Sequence, residues 1–321
     1  MESGHRLTYK GVMFRLAHIS DAHLGPLPDV TYRELASKRA VGYVNWQRNR
    51  RRHHHDGVVD AIVADLKAQS PSHLAVTGDL VNLALDGEIG LARMWLETLG
   101  VPEDVSVVPG NHDAYVPGAF DKACVAWAPW MRGDNAVGPV NQHSFPYLRI
   151  RGNVALIGVS TARATAPFMA SGFFRDGQAD RLATILDETG RQGLFRVIMI
   201  HHPPVRGAVG PHKRLFGIGK FQKVVRGHGA ELVVHGHSHL PTLYWIPGTK
   251  GAVPVVGVAA AGQAPGALKP AAQFNLIDIS GEPDAWNVSL TRRGLLSAAA
   301  PVQISTVDLS SAARPEALVR S

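Results

Sequence analysis

A single cysteine, Cys124, is all the thiol chemistry in this chain of 321 residues. That excludes a disulfide framework and any thiolate zinc site, so a metal ion here must be held by histidine, aspartate and asparagine. Long apolar runs are missing as well. Val253 to Gly262 is apolar but interrupted by Pro254 and Gly257, and it falls short of the roughly 18–20 residues a spanning helix needs. The N-terminal MESGHRLTYKGVMFRLAHIS places charges on both sides of an apolar stretch too short for a signal-peptide core. The expectation is a cytoplasmic protein whose only membrane contact would be peripheral, at the inner face. Acidic residues are the minority, 26 against 33 Lys and Arg, for a net charge of +7. Such a field favours anionic substrates, nucleic acid or acidic lipid surfaces. Much of it is local: Lys38, Arg39, Arg48, Arg50, Arg51 and Arg52, followed by His53, His54 and His55, crowd the segment from about Tyr32 to Asp56.

With 45% hydrophobic residues the chain has enough apolar material for a sizeable core. Its periodicity alternates between two and 3.6. Phe14 to Ser20, His73 to Thr77 and Asp104 to Val108 read as strands. Asp56 to Gln69, Asp86 to Leu99 and Gly118 to Met131 read as helices, the last interrupted at Pro129. Phe145 to Arg151 and Asn153 to Ser160 form a hairpin signal around Gly152, followed by a helix over Gln178 to Thr189. Arg196 to Ile200, Glu231 to Val234, Thr242 to Ile246, Val253 to Val258, Phe274 to Ile279 and Trp286 to Leu290 are further strands. The expected class is α/β: a four-layer α-β-β-α sandwich of two mixed sheets flanked by helices. One domain over residues 1–296 is expected, with a basic helical insert at about 30–56 and a loosely structured tail over 297–321.

Five short motifs each follow an apolar run: Asp21-Ala22-His23, Gly78-Asp79, Gly110-Asn111-His112-Asp113, His201-His202 and Gly236-His237-Ser238-His239. Taken singly, Asp79 reads as a helix cap, Asn111 as a turn residue, and Asp21 and His23 as turn and surface residues. Five in order, each at the C-terminal end of an expected strand, would converge on one sheet edge, where open α/β sheets place their sites. Asp79 is the natural bridge between two cations, with both carboxylate oxygens free. Asp21, His23 and one later histidine would complete one shell; Asn111, His201 and another histidine would complete the second.

This set resembles the calcineurin-like metallophosphoesterases, with the likeness running from Phe14 to Leu240. The resemblance implies that Asp21, His23, Asp79 and His239 hold one ion and that Asp79, Asn111, His201 and His237 hold the other. It further implies that His112 stands near the leaving oxygen and that Asp113 orients it; on the residues alone Asp113 reads as structural, hydrogen-bonded either to His112 or to the loop backbone. Asn82 stands where the purple acid phosphatases carry a tyrosine ligand, so no iron–tyrosinate is expected. His201-His202-Pro203-Pro204 is similar to the branch of cyclic-nucleotide and glycerophosphodiester phosphodiesterases. His202 fits either a substrate contact or a packing role.

Two divalent ions, Mn, Fe or Zn, would neutralise the phosphoryl oxygens and lower the pKa of bound water from about 15.7 to about 7. The expected activity is therefore phosphodiester hydrolysis by metal-bound hydroxide, with Arg48, Arg51 and Arg52 meeting the anionic substrate or anionic lipid. The insert reads as an amphipathic helix, with Leu35, Tyr43, Val44 and Trp46 on one side and the basic residues on the rest. Three other readings stay open: a pyrophosphohydrolase acting on a nucleotide-linked lipid such as UDP-diacylglucosamine, a DNA-processing nuclease, and a non-catalytic scaffold of the same fold. Nucleic acid ranks behind a phosphoester as a partner.

Overall fold

The computed structural model describes residues 13–47, 57–297 and 300–310. Two six-stranded sheets face each other. In the first, β1 (Phe14–Ile19), β2 (His73–Val76) and β3 (Val105–Val107) run parallel. On the far side of β1 lie antiparallel β12 (Gln273–Glu282), β13 (Ala285–Gly294) and β14 (Val302–Asp308), so the order is β14-β13-β12-β1-β2-β3. The second sheet contains β4 (Tyr147–Arg151), β5 (Val154–Val159), β7 (Phe195–Ile200), β9 (Leu232–His235), β10 (Leu243–Gly248) and β11 (Gly251–Gly257). Its order is β10-β11-β9-β7-β5-β4, with β5, β7, β9 and β11 parallel. A separate parallel pair joins β6 (Gly172–Phe173) to β8 (Leu215–Phe216).

The central strands of the second sheet are apolar on both faces, the pattern of a parallel sheet covered on both sides. Leu156, Val197, Val234 and Val256 point into a core shared with Leu16 and Ile277 of the first sheet and with Ile62 and Leu66 of α3 (Val58–Ala68). Their neighbours Ile157, Ile198, Val233 and Val255 face the opposite way. They meet Leu182 and Leu186 of α6 (Asp176–Arg191) and Phe221 and Val225 of α7 (Ile218–His228). Each helix contributes the apolar stripe that its i, i+3, i+4 spacing predicts. With α4 (Asp86–Leu99) and α5 (Ala119–Ala126), the expected α-β-β-α sandwich is present.

Three expectations change. The tail expected to be loose from residue 297 contains β14, whose β-branched residues ladder onto β13, and Leu309 beyond it is fully buried. Helix α7 went unread because Gly219 and Gly227 dilute its helix propensity, while Phe221, Val224 and Val225 supply its buried face. The described part of the insert, to residue 47, holds two short helices, α1 (Tyr32–Leu35) and α2 (Arg39–Asn45), where one amphipathic helix was expected. A capping box between Thr31 and Glu34 starts the first. Among the described residues no helix is long and apolar enough to cross a membrane.

His73 on β2 is buried against Ser106 Oγ, 2.8 Å from its Nε2. Burial, with Arg149 and Arg151 adding to it, pushes this imidazole from its ordinary 6.5 down to about 3. The unfolded chain therefore binds a proton that the native chain refuses. The stability contribution is full above pH 6.5 and is lost as the pH falls toward 3. Urea unfolding should show stability declining across that window, and His73→Gln should reduce the slope by about one proton. An unchanged slope would contradict the assignment.

Candidate metal centre

The parallel strands deliver their C-terminal ends to one edge, and the motif residues follow directly: Asp21 after β1, Asp79 after β2, Asn111 after β3, His201 after β7 and His237 after β9. The loops of the two sheets are pinned to each other there. His201 Nδ1 donates to Thr77 O at 2.6 Å, and the His237 amide donates to Asp21 Oδ2 at 2.9 Å. Asp21, His23, Asp79, His237 and His239 all adopt left-handed backbone, with φ between 43° and 65°. For non-glycine residues this is costly, and its concentration at one place marks a site whose geometry is held by its surroundings. Gly110 is required by a close approach, since a side chain there would collide with the Asp79 carboxylate.

Backbone carbonyls set the imidazole tautomers, because a carbonyl can only accept. His23 Nδ1 donates to Val81 O at 3.0 Å and His112 Nδ1 to Asn82 O at 2.6 Å, whereas His237 donates through Nε2 to Lys213 O at 2.9 Å. The opposite nitrogen of each ring is thereby set as the donor toward an ion or substrate, the usual way second partners orient metal-ligating histidines. His23 Nε2 lies 3.9 Å from Asp21 Oδ1 and 3.8 Å from Asp79 Oδ2, while His201 Nε2 lies 3.4 Å from the same Asp79 oxygen and 3.2 Å from Asn111 Oδ1. His239 Nε2 stands 3.1 Å from Asp21 Oδ1.

Asp79 Oδ1 accepts the His112 amide at 2.7 Å, and Oδ2 is the oxygen that lies beside both His23 and His201.

The donor set fits two cations. Asp21 Oδ1 is buried and accepts no hydrogen bond among the described residues, a costly state for a carboxylate unless positive charge lies beside it. Burial alone would raise Asp79, yet His201 and His112 hold it well below the usual carboxylate range. Burial likewise lowers His201, and the Asp79 charge reverses this and carries it up to about 9. The cluster draws in positive charge from every source. Asp21-His23-His239 and Asp21-Asp79-His201 are groups whose ligand atoms lie within 4.8 Å of one another.

The family model for calcineurin-like phosphoesterases matches residues 14–241. The chain belongs to that family. A probable cyclic nucleotide phosphodiesterase from Synechococcus sp. is 29% identical over 185 residues, covering 56% of this chain and 62% of that protein. The chain thus spans less than two thirds of the curated relative it matches. Among solved structures, a dimetal phosphatase from Danio rerio superposes with a TM-score of 0.57 at 12% identity, covering 92% of this chain and 98% of that one. A purple acid phosphatase from yellow lupin superposes at 0.55 and 14% identity, covering 93% and 54%. At these identities the likeness is one of fold.

In this family member Asp113 takes other partners than the resemblance implied, and the contacts of His202 match the packing reading of its two alternatives. Asp113 does not orient His112, whose Nδ1 meets Asn82 O. The Asp113 carboxylate instead accepts the amides of Asp79 at 2.8 Å, Leu80 at 2.9 Å, Val81 at 3.3 Å and Gly110 at 2.7 Å. It is a cradle for the two loops that carry Asp79 and Asn111. Burial and the Asp79 charge push its pKa up to about 7 against the pull of those amides. His202 does not reach the cavity. It is fully buried, with Nδ1 2.7 Å from Thr161 Oγ1 and Nε2 3.1 Å from Ala170 O, and its ring packs 4.3 Å from that of His237. It backs the ring of His237, and burial pushes its pKa down to about 3.

Asn82, in the position of the absent tyrosine, is buried and ties the motif loops together by donating to Leu24 O at 3.0 Å.

Lys38 and Arg39, expected on the basic side of an amphipathic helix, clamp the insert onto the domain. Arg39 donates to Leu83 O at 2.9 Å and Ala84 O at 2.6 Å, and Lys38 to Thr165 Oγ1 at 2.7 Å and Met169 O at 2.9 Å. The carbonyls of those loops have no ladder partner, and a long cation is the side chain that reaches them. Arg48, Arg51 and Arg52 lie outside the described residues. Lys38, Val41, Gly42 and Asn45 line a cavity of about 730 Å³ together with Asp79, Asn111, His112, His237 and His239. Phe168, Lys213 and Lys269 form other parts of its wall.

If Asp113 acts as a cradle, Asp113→Ala should lower stability by about 3 kcal/mol or more, since each buried unsatisfied amide costs about 1–3 kcal/mol. Chemical denaturation reads this directly. Wild-type stability in that variant would refute the cradle.

Proposed function

We propose that this chain is a dinuclear-metal-dependent phosphodiesterase. The observation that carries the reading is the single oxygen Asp79 Oδ2, shared between the His23 and His201 groups at the floor of the cavity. Asp21, His23, Asp79 and His239 would hold one divalent ion, and Asp79, Asn111, His201 and His237 the other. A set of nitrogen and oxygen donors suits Mn, Fe or Zn. When bound, such a pair supplies charge neutralisation at the phosphoryl oxygens and a strong nucleophile drawn from water.

The chain's own residues do the rest. His112 is held by Asn82 O at Nδ1 and stacks on Tyr115 with ring centroids 5.2 Å apart. Its Nε2 is therefore the atom that can carry a proton to the leaving oxygen. Lys38, Lys213 and Lys269 make the cavity wall cationic, suited to an anionic ester. Burial pushes Lys38 down to about 8, against the Asp79 charge. The cavity volume is within the roughly 300–1,000 Å³ of small-molecule sites, which supports a compact diester over a duplex. The description of the Synechococcus relative points the same way. The completeness of the donor set speaks for catalysis over a binding scaffold.

After reconstitution with Mn²⁺, Fe²⁺ or Zn²⁺, the protein should release nitrophenol from bis-p-nitrophenyl phosphate. Asp79→Asn should abolish turnover and lose both ions by metal analysis, His23→Ala should lose one, and His112→Gln should slow turnover roughly 10²–10⁴-fold with both ions retained. A fully metallated but inert wild type would overturn the reading. Cleavage of UDP-diacylglucosamine or nicking of DNA in place of the bis-ester would transfer it to a pyrophosphohydrolase or a nuclease.

A further inference from the structure

Among the described residues, nine other than glycine have left-handed backbone. Asp21, His23, Asp79, His237 and His239 are accounted for by the metal centre. Phe168 is not. Its φ is 65°, an outlier for a bulky aromatic residue, and the residue is 78% exposed. Burial of the ring therefore cannot be what offsets the strain. Phe168 nevertheless lines the same cavity as Asp79, Asn111 and His112.

The turn that presents this ring is tied at several points. Met169 N donates to Ala166 O at 3.1 Å, and Thr165 Oγ1 to Met169 O at 2.6 Å. Lys38 Nζ binds both Thr165 Oγ1 and Met169 O from the insert. Ala170 N donates to His212 O at 2.9 Å, joining the turn to the opposite wall. A strained aromatic residue, held rigidly and left uncovered at the mouth of an anion-binding cavity, has the properties of a preorganised stacking surface.

We propose that Phe168 is the platform for a planar base, so that the substrate class is a nucleotide ester whose phosphate lies at the metal centre and whose base stacks on this ring. The phosphate half rests on the phosphodiesterase reading above; the base half rests on Phe168 alone. The remaining wall agrees with it, because Lys213 and Lys269 line the same cavity and provide cationic surface for a ribose phosphate. Base–aromatic stacking is tolerant of base identity, so the platform selects nucleotides as a class.

The test is equilibrium binding to the Mn²⁺-reconstituted protein by calorimetry, with AMP, ribose 5-phosphate and inorganic phosphate as probes. AMP should bind roughly 5- to 150-fold more tightly than ribose 5-phosphate, the range expected for one stacked base. Phe168→Leu and Phe168→Gly should erase that difference while leaving ribose 5-phosphate affinity unchanged, and Phe168→Trp should keep it. Phe168→Gly should also raise the thermal midpoint, because glycine adopts this φ without strain. Equal affinity for AMP and ribose 5-phosphate in the wild type would overturn the proposal even if bis-p-nitrophenyl phosphate is hydrolysed. So would a Phe168→Leu variant that keeps its preference for AMP, or one that loses only binding to vesicles of phosphatidylglycerol, which would make Phe168 a lipid contact. Absence of bis-ester hydrolysis with the AMP preference intact would remove the reaction and leave the platform standing.

Discussion

Two carboxylates buried against each other's field dominate this molecule. Asp21 and Asp79 are withdrawn from water at the junction of the two sheets, and an uncompensated buried charge is among the most expensive features a fold can contain. Each is compensated in halves. One oxygen of each takes a backbone amide from the opposite motif loop, Asp21 from His237 and Asp79 from His112. The other oxygen of each faces imidazole nitrogens. The amide halves hold the loops together, and the remaining halves define where positive charge must go. Stability and metal affinity are thus two consequences of one electrostatic arrangement.

That arrangement costs backbone strain, about 1–3 kcal/mol for each residue held in a sparsely populated conformation. The left-handed metal-centre residues persist because the loops have nowhere else to go. Parallel strands with apolar residues on both faces lock their starting points. Asp113 then gathers the amides after β2 and β3 into a single cradle. The carbonyls of Thr77, Val81, Asn82 and Lys213 choose the tautomers of His201, His23, His112 and His237. The site's precision therefore resides in the backbone that surrounds the donors as much as in the donors.

The cavity above the centre is built differently. Its walls come from short, irregular pieces: the insert carrying α1 and α2, the turn around Phe168, and the segment joined by the β6–β8 pair. Lys38 links the first two by polar contacts instead of apolar packing. The donor cluster sits on the rigid sheet edge and the cavity wall on connections, where sequence can change without disturbing the fold.

The family and the donor types were legible in the chain itself. Motifs at strand ends depend on local periodicity and on residue chemistry, both of which are written linearly, so the convergence of Asp21, His23, Asp79, Asn111, His201, His237 and His239 on one sheet edge could be expected before any fold was known. Helix α7 was missed because its place rests on the burial of Phe221 and Val225 more than on propensity, and strand β14 because its pairing with β13 is a tertiary contact. Which of its two readings Asp113 and His202 each follow, and that Asp79 Oδ2 is the oxygen beside both His23 and His201, were decided only in three dimensions. Each depends on which amide or carbonyl is brought within about 3 Å across gaps of many residues, a distance that hydrogen bonding requires and that a linear sequence does not record.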